Sequence, residues 1–255
     1  MKLRLLALVL LFASFMTVQP AASQPAAPRW QCWDPGAVDP CRNLLRDIAL
    51  VPGTEGLQAW AVGEKGTILR WQDGLWSKVA SPTTADLRAV AAVSPAEAWI
   101  AGSAGTVLRW DGQTWQTVNA KVSDDLFLLE PLPASPGEPP GLLAAWNFAG
   151  FGAFLHWDGS EWKSDFKIDK FTGTIYDLAF TAEDAGWAVG TTGPGLTGLY
   201  RWDGSAWQPV EPPAGVGILY GVSFAAPDDG WAVGADGSLL RWDGQIWTAQ
   251  SNLGE

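Results

Sequence analysis

The chain has 255 residues, of which 47% are hydrophobic and 17% charged. This apolar content is enough for a folded core and excludes a chain that is disordered throughout. The formal net charge is −11 at pH 7, and no cluster of Lys and Arg interrupts the negative charge. Nucleic acid and anionic membrane surfaces are therefore excluded as main partners, because both need clustered positive charge.

The first 23 residues have the pattern of an export signal. Lys2 and Arg4 precede an apolar run over residues 5–18, and the small residues Ala21, Ala22 and Ser23 suit signal-peptidase cleavage. The run is shorter than the roughly 20 residues of a transmembrane helix. We therefore expect residues 1–23 to be removed, leaving a secreted or periplasmic protein with no membrane span.

Residues 24–46 are expected to form a spacer and a strap that lies against one face of the following repeats. The only cysteines, Cys32 and Cys41, flank a Pro- and Gly-containing turn, which in an oxidising compartment predicts one local disulfide. Two cysteines and the single His156 supply too few ligands for a structural metal site. Residues 43–46 are compatible with one helical turn.

A tryptophan-anchored repeat occurs five times between residues 47 and 250, and residues 251–255 are expected to be a short tail. Each copy carries three tryptophans: the second follows the first by eleven residues, or fifteen in the fourth copy, and the third follows the second by five. We call them the first, second and third Trp. In copy order the triplets are Trp60, Trp71, Trp76; Trp99, Trp110, Trp115; Trp146, Trp157, Trp162; Trp187, Trp202, Trp207; and Trp231, Trp242, Trp247.

Each copy contains four short β-branched and aromatic runs separated by Gly, Asp and Pro, which predicts four strands joined by tight turns. The Asp-Gly pair before the third Trp is typical of a two-residue hairpin turn. Units of about 40 residues with four antiparallel strands are the signature of propeller blades. The sequence predicts an all-β, five-bladed β-propeller, closed by packing of the last blade on the first and monomeric. An open array completed by dimerisation is the alternative.

The motif Trp-Ala-Val-Gly, as in Ala59–Gly63, followed by Trp-Asp-Gly-x-x-Trp, resembles the repeats of the photosystem II assembly and stability factor propellers. It is also similar to the wider BNR or sialidase-like superfamily, although the turn is one residue shorter than an Asp-box. The resemblance covers residues 47–250. It implies an exported, all-β scaffold.

The repeat tryptophans are interpreted as core residues between blades, because residues at one position of every blade meet at the blade interfaces. Sugar stacking is the alternative. The residue before the second Trp is Arg70, Arg109, His156, Arg201 or Arg241. We expect these arginines to stack on tryptophan or to pair with the turn aspartates Asp111, Asp158, Asp203 and Asp243.

Aspartates near the start of the first strand of each copy form a second candidate set. Asp47, Asp86, Asp125 and Asp177 align, with Gly221 at the matching place of the last copy. If these strands are innermost, the carboxylates rim a central channel and can hold Ca²⁺ through oxygen ligands. The alternative is an Asp that accepts backbone hydrogen bonds at a strand entry. No other cofactor is expected.

The third copy departs from the pattern and is the preferred ligand site. It carries the Pro-rich excursion 131–141 and has larger residues in its second and third strands. A long loop on a regular scaffold is either tolerated or functional. The candidate ligand-binding residues are Asn147, Phe148, Phe151, Phe154 and His156.

No catalytic residue is assigned. The sequence shows no nucleophile with an accompanying base, as hydrolases of the Ser/His/Asp or Cys/His type need. It also gives no pair of carboxylates that can be placed across a pocket, as a glycosidase needs. The sequence favours a non-enzymatic binding scaffold for a protein or a surface polysaccharide. A carbohydrate-binding propeller with pockets between blades is the alternative.

Overall fold

The computed structural model describes residues 43–132, 142–148, 151–163, 173–193 and 195–250, with the backbone alone for 142–148 and 151–153. The predicted signal peptide, Cys32 and Cys41 lie outside the described residues, as do most of the spacer and the loop after Pro131. Residues 43–46 do not form a helical turn, because Leu45 and Arg46 already belong to the first strand.

The described chain forms twenty strands, consistent with the short runs of strand-forming residues in each repeat. The strands are β1 Leu45–Leu50, β2 Ala59–Gly63, β3 Thr67–Gln72, β4 Leu75–Lys78, β5 Leu87–Ser94, β6 Glu97–Gly102, β7 Thr106–Trp110, β8 Trp115–Asn119, β9 Leu126–Pro131, β10 Leu142–Phe148, β11 Phe151–Trp157, β12 Trp162–Lys163, β13 Ile175–Ala182, β14 Ala185–Gly193, β15 Leu196–Trp202, β16 Trp207–Pro209, β17 Leu219–Ala226, β18 Asp229–Gly234, β19 Leu239–Trp242 and β20 Trp247–Ala249.

These strands form five four-stranded antiparallel sheets, each a meander whose spatial order follows the chain order. We number the sheets as blades 1 to 5. Short 3-10 turns over Glu64–Gly66, Ser103–Gly105 and Ala235–Gly237 join the second and third strands of blades 1, 2 and 5. The fold is therefore an all-β propeller of four-stranded blades, as the sequence predicts.

The Asp-Gly turn before the third Trp takes two forms. In blade 1, Gln72 pairs with Leu75, so Asp73 and Gly74 form the expected two-residue turn with φ values of 54° and 78°. In blades 2 to 5 the second Trp pairs directly with the third, as Trp110 does with Trp115, which leaves four residues in the loop. The prediction of a two-residue turn is therefore wrong for four of the five blades.

The core lies between successive blades. Four clusters of buried residues join blades 1 and 2, 2 and 3, 3 and 4, and 4 and 5. In three of them the first Trp of one blade packs against the second and third Trp of the next, and between blades 3 and 4 Phe154 stacks on Trp207. Trp99 lies 4.8 Å from Trp157 and 5.6 Å from Trp162 between ring centroids. Eleven of the fifteen repeat tryptophans are buried, which fits their interpretation as core residues.

Blade 5 lacks the packing on blade 1 that the repeats predict. Contacts link the inner strands β1, β5, β9, β13 and β17 in succession, but within the described residues no comparable contact joins β17 to β1. Trp231, the first Trp of blade 5, is 39% exposed. The array of described blades is open. No described helix is long and apolar enough to cross a membrane.

Candidate functional site

The candidate site lies where the inner strands begin. In each blade the pairing of the first and second strands shifts by one residue near the start of the first strand, which marks a β-bulge. A bulge bends the strand and re-aims the side chain of the extra residue, and bulges are over-represented beside functional sites. The five bulged residues are Arg46, Arg88, Phe127, Tyr176 and Tyr220.

These five residues share one edge of the propeller, and we call them the bulge mouth. Tyr176 and Tyr220 are 41% and 52% exposed and meet edge to face, with ring centroids 5.3 Å apart. Phe127 is partly buried against the cluster between blades 3 and 4. The mouth therefore presents an aromatic side, contributed by blades 3 to 5.

The other side of the bulge mouth is cationic. The guanidinium of Arg46 bonds to Glu64 at 2.7 Å, and that of Arg88 bonds to Asp125 at 2.7 Å. Both arginine side chains remain about one-third exposed. Each pair fixes the guanidinium while leaving further N–H donors for an acceptor from outside.

Behind the mouth lies a cavity of about 470 Å³ between the inner strands of blades 1 to 4. Arg46, Arg88, Phe127 and Tyr176 all contribute to its lining. A cavity of this size with convergent polar groups and aromatic rings is the usual form of a ligand site.

Three carboxylates on the cavity wall have raised pKa values. Burial, together with the charge of Asp177, raises the pKa of Glu130 to about 8. Burial raises the pKa of Asp177 to about 6 and also raises the pKa of Asp47, although backbone hydrogen bonds oppose both shifts. At neutral pH Glu130 is therefore largely protonated, and the wall carries less negative charge than its composition suggests.

The carboxylates also connect successive blades. Asp47 accepts the backbone N–H of Val90 at 2.8 Å, and Asp177 accepts that of Val222 at 2.8 Å. Glu130 in blade 3 accepts the backbone N–H of Phe180 in blade 4. These bonds match the alternative interpretation of the aspartates, as acceptors for strand backbone.

The four aspartates expected to bind Ca²⁺ do not share one position, which corrects their alignment. Asp47 and Asp177 directly follow a bulged residue, whereas the residue after the bulge in blade 2 is Ala89. Asp86 and Asp125 precede β5 and β9 and accept the N–H groups of Lys65 and Ala104 from the preceding blade. Among the described residues, no three Asp, Glu, His or Cys side chains converge as metal ligands.

The five ligand residues expected in the third copy are divided between different places. The backbone of Asn147, Phe148 and Phe151 lies at the β10–β11 hairpin, on the same edge of the blades as the bulge mouth. Phe154 is 1% exposed and stacks on Trp207 at 6.2 Å, so it belongs to the core, which corrects its expected role. His156 pairs with Lys163 near the opposite edge.

The Pro-rich excursion also starts at the opposite edge, because it leaves the far end of β9 after Pro131. The insertion in the fourth copy contributes to a second cavity of about 680 Å³ beside the connection from β16 to β17. The fourth-copy insertion lies in the β14–β15 hairpin, on the same edge of its blade as the bulge residue Tyr176.

The repeat arginines stack on tryptophan, as one of the two sequence interpretations proposed. The guanidinium of Arg70 lies 5.1 Å from Trp60 and 5.7 Å from Trp110, and Arg109 lies 5.1 Å from Trp99. Pairing with the turn aspartates is not seen for Arg109, which bonds to Glu97 at 2.8 Å. The turn aspartates accept N–H groups of their own loops, as Asp111 does from Gln113 and Thr114.

Sequence reasoning missed the bulge mouth, although the signal is present. Each inner strand reads as an aliphatic residue, the bulged residue, one further residue and another aliphatic residue, as in Ile175-Tyr176-Asp177-Leu178. Two aliphatic residues three positions apart break the two-residue alternation of a regular strand, which is the mark of an inserted residue.

Comparison with known proteins relates the fold of this chain to that of solved β-propellers. No protein-family model and no curated protein sequence matched this chain. Among solved structures, the chain is similar to "YCF48 bound to D1 peptide", with 19% identity, a TM-score of 0.62, and coverage of 84% of this chain and 70% of that one. It is also similar to the WD40 β-propeller domain of Doa1, with 10% identity, a TM-score of 0.57, and coverage of 80% and 67% respectively. The resemblance to the photosystem II assembly factor propellers is thus confirmed at the level of the fold.

Proposed function

We propose that this protein is an exported, non-catalytic binding scaffold that holds a segment of a partner protein at the bulge mouth. The observation that carries the proposal is the placement of two arginines and three aromatic residues at equivalent bulges, four of which line one cavity. These are the residue types that dominate protein–protein binding energy.

The partner segment has a definable chemistry. Arg46 and Arg88 suit a carboxylate of the segment, and Tyr176 and Tyr220 suit an adjacent apolar or aromatic side chain. The cavity behind them accepts one side chain from an extended stretch. The similar structure of YCF48 is described as bound to a D1 peptide, which supports a polypeptide ligand for a propeller of this kind.

Export belongs to the same proposal. The basic, apolar and small-residue pattern of residues 1–23 supports an extracytoplasmic location, and the spacing of Cys32 and Cys41 supports one disulfide there. The fold and the open array of five described blades are compatible with binding on the exposed edge.

The carbohydrate alternative is weakened by where the tryptophans lie. A lectin with repeated pockets between blades needs accessible aromatic faces, whereas the interblade rings are packed against one another at 4.8 to 5.6 Å. The exposed Tyr176–Tyr220 pair is the one described aromatic platform suited to a sugar at the bulge mouth.

A peptide array and a glycan array, both probed with the purified protein, test the proposal. We expect binding to peptides that combine acidic and apolar residues, and we expect loss of that binding in the double variant Tyr176→Ser, Tyr220→Ser. The control is Ile246→Ser, which replaces an exposed apolar residue in the β19–β20 turn. A blank peptide array with robust, multivalent glycan binding would establish the carbohydrate alternative. Peptide binding that survives in the tyrosine variant but disappears when residues 131–141 are deleted would move the site to the Pro-rich excursion.

A further inference from the structure

The contact between successive blades is repeated with nearly constant geometry. Trp60, Trp99 and Trp187 each lie 4.8 to 4.9 Å from the second Trp of the next blade. They lie 5.1 to 5.6 Å from its third Trp. All three are at most 5% exposed. We call this contact the interblade joint.

Blade 5 carries one half of an unoccupied joint. Trp231 occupies the same position as Trp60, Trp99 and Trp187 but is 39% exposed. Val233, which corresponds to the fully buried Val62 and Val189, is 50% exposed. Arg241 already lies 5.7 Å from Trp231, as Arg70 lies over Trp60 inside the array. This face of blade 5 is complete except for its partner.

Blade 1 carries the other half. Leu45 and Ile48 are 49% and 59% exposed, whereas their counterparts in blade 2, Leu87 and Val90, are 0% and 4% exposed. Trp71 and Trp76 pack on each other at 5.5 Å and are partly exposed. The equivalent pairs of blades 2 to 5 are all buried, and each contacts a ring of the preceding blade: the first Trp in blades 2, 3 and 5, and Phe154 in blade 4.

The backbone shows the same vacancy. Inside the array, Gly66 and Gly105 donate their N–H groups to carbonyls of the segment that leads into the next blade, both at 2.8 Å. A Cβ built on either glycine meets a carbonyl oxygen of the same connecting segment at 2.0 or 1.9 Å. A Cβ built on Gly237, the equivalent glycine of blade 5, meets nothing within 4 Å. Blades 1, 2 and 5 share this turn. Backbone approaches its last glycine closely in blades 1 and 2, and in blade 5 it does not.

We propose that a second copy of this chain covers these faces, so that Trp231 of one copy packs between Trp71 and Trp76 of the next. The interior joints supply the template for this contact, and both of its halves are present on every copy. Exposed apolar faces of this kind recruit partners. A contact between two different faces of identical copies is head to tail, and it generates either a closed ring or a filament.

Closure within one chain is disfavoured by the interior joints themselves. Their ring contacts fix the step from one blade to the next, and close-packed interiors resist a change of several such contacts at once. Association of two copies forms one more joint of the same kind and leaves the joints within each chain unchanged. The expected monomer is therefore replaced by a concentration-dependent assembly. This proposal does not rest on the proposed binding function, because the joint faces are distinct from the bulge mouth.

Light scattering after size-exclusion chromatography of the full chain, over a wide range of concentrations, tests the proposal. We expect a mass that rises above one chain with concentration. Trp231→Glu and Trp76→Glu, each lacking one half of the joint, should stay at the mass of one chain. An equimolar mixture of the two variants should form a two-chain species and nothing larger, since one intact half remains on each. Leu57→Glu, at an exposed apolar position in the β1–β2 loop, is the control and should behave like the unmodified chain.

Two further variants keep the test decisive if a tryptophan variant fails to fold by circular dichroism. Val233→Glu and Gly237→Ala alter the blade 5 face at positions with free space around them, and both should reduce the assembly without unfolding the chain. A one-chain mass at every concentration would overturn the proposal. Hydroxyl-radical footprinting of Trp231 would then distinguish closure within the chain, where it is protected, from a face left for a different protein, where it is oxidised. Assembly of the unmodified chain without complementation in the mixture would also overturn the proposal, because the contact would lie elsewhere.

Discussion

The carboxylate of Asp177 in blade 4 accepts the backbone N–H of Val222 in blade 5 at 2.8 Å and that of Leu178 in its own strand at 3.0 Å. Asp47 makes the same two contacts between blades 1 and 2. Each aspartate side chain therefore links the inner strands of two different blades. It also places a carboxylate on the partly buried wall of the cavity.

Replacement of Asp177 separates its acceptor role from its charge. Asp177→Ala leaves two backbone N–H groups without an acceptor, and we expect a loss of about 1–3 kcal/mol in the free energy of unfolding. Asp177→Asn keeps one of the two acceptor oxygens, places its NH2 group against the other N–H, and removes the cost of ionising a group whose pKa is raised to about 6. Urea unfolding at pH 8 should rank Asn above Ala, because one of the two N–H groups keeps its acceptor. Equal losses for the two variants would show that the charge, and not the acceptor, stabilises this position.

Glu130 should make the protein less stable as the pH rises. Burial and the charge of Asp177 raise its pKa from 4.5 to about 8, so the folded state holds a proton that the unfolded state has released. The resulting stability is complete below pH 4.5 and is lost as the pH rises through about 8. We expect Glu130→Gln to reduce the loss of unfolding free energy between pH 5 and 8.5 by about 4 kcal/mol.

The matched control for Glu130 is Glu161→Gln. Glu161 pairs with Lys121, and its pKa is lowered by that contact, so it titrates below the tested range. Its replacement should shift stability equally at pH 5 and at pH 8.5. An unchanged pH dependence in Glu130→Gln would mean that Glu130 is ionised in the folded state.

Tryptophan truncation should distinguish an occupied interblade joint from a vacant one. Trp99 is fully buried between blades 2 and 3, and Trp99→Ala is expected to cost about 3–5 kcal/mol. Trp231→Ala removes the same side chain from an open face, and in dilute solution we expect a cost below about 1 kcal/mol. Urea unfolding of both variants at low protein concentration measures the difference. Equal costs would mean that Trp231 is buried within a single chain.

The strands and their tryptophan anchors were predictable because each blade repeats the same residues at the same spacing. The alignment of the aspartates was wrong because loop length varies between blades. Asp47 and Asp86 both precede the first Trp of their blade by thirteen residues. The β1–β2 loop of blade 1 contains eight of these residues, whereas the β5–β6 turn of blade 2 contains two. Equal spacing in sequence therefore gave different places in the sheet.

The open end of the array was not predictable from the repeats. Blade 5 carries Trp231, Val233, Arg241 and Gly237, the full set that makes a joint in the interior blades. A repeat motif predicts which residues form the face of a blade. It does not predict whether another blade covers that face, because closure depends on the curvature that all the joints produce together. The bulged residues were missed for a different reason, because an inserted residue in a strand disturbs the alternation by which strand faces are read.

A matched pair of glycines provides the last prediction. Gly105 and Gly237 have nearly the same backbone, with φ values of 67° and 71°, so Ala introduces about 1 kcal/mol of backbone strain at either position. At Gly105 the added Cβ also lies 1.9 Å from the carbonyl oxygen of Val122, in the segment that connects β8 to β9 of the next blade. We therefore expect Gly105→Ala to cost at least about 3 kcal/mol in urea unfolding, because the joint between blades 2 and 3 has to shift. Gly237→Ala should cost only the strain when measured at low protein concentration. If both variants lose the same stability, the turn of blade 5 is already covered within one chain, and the open array is not the state in solution.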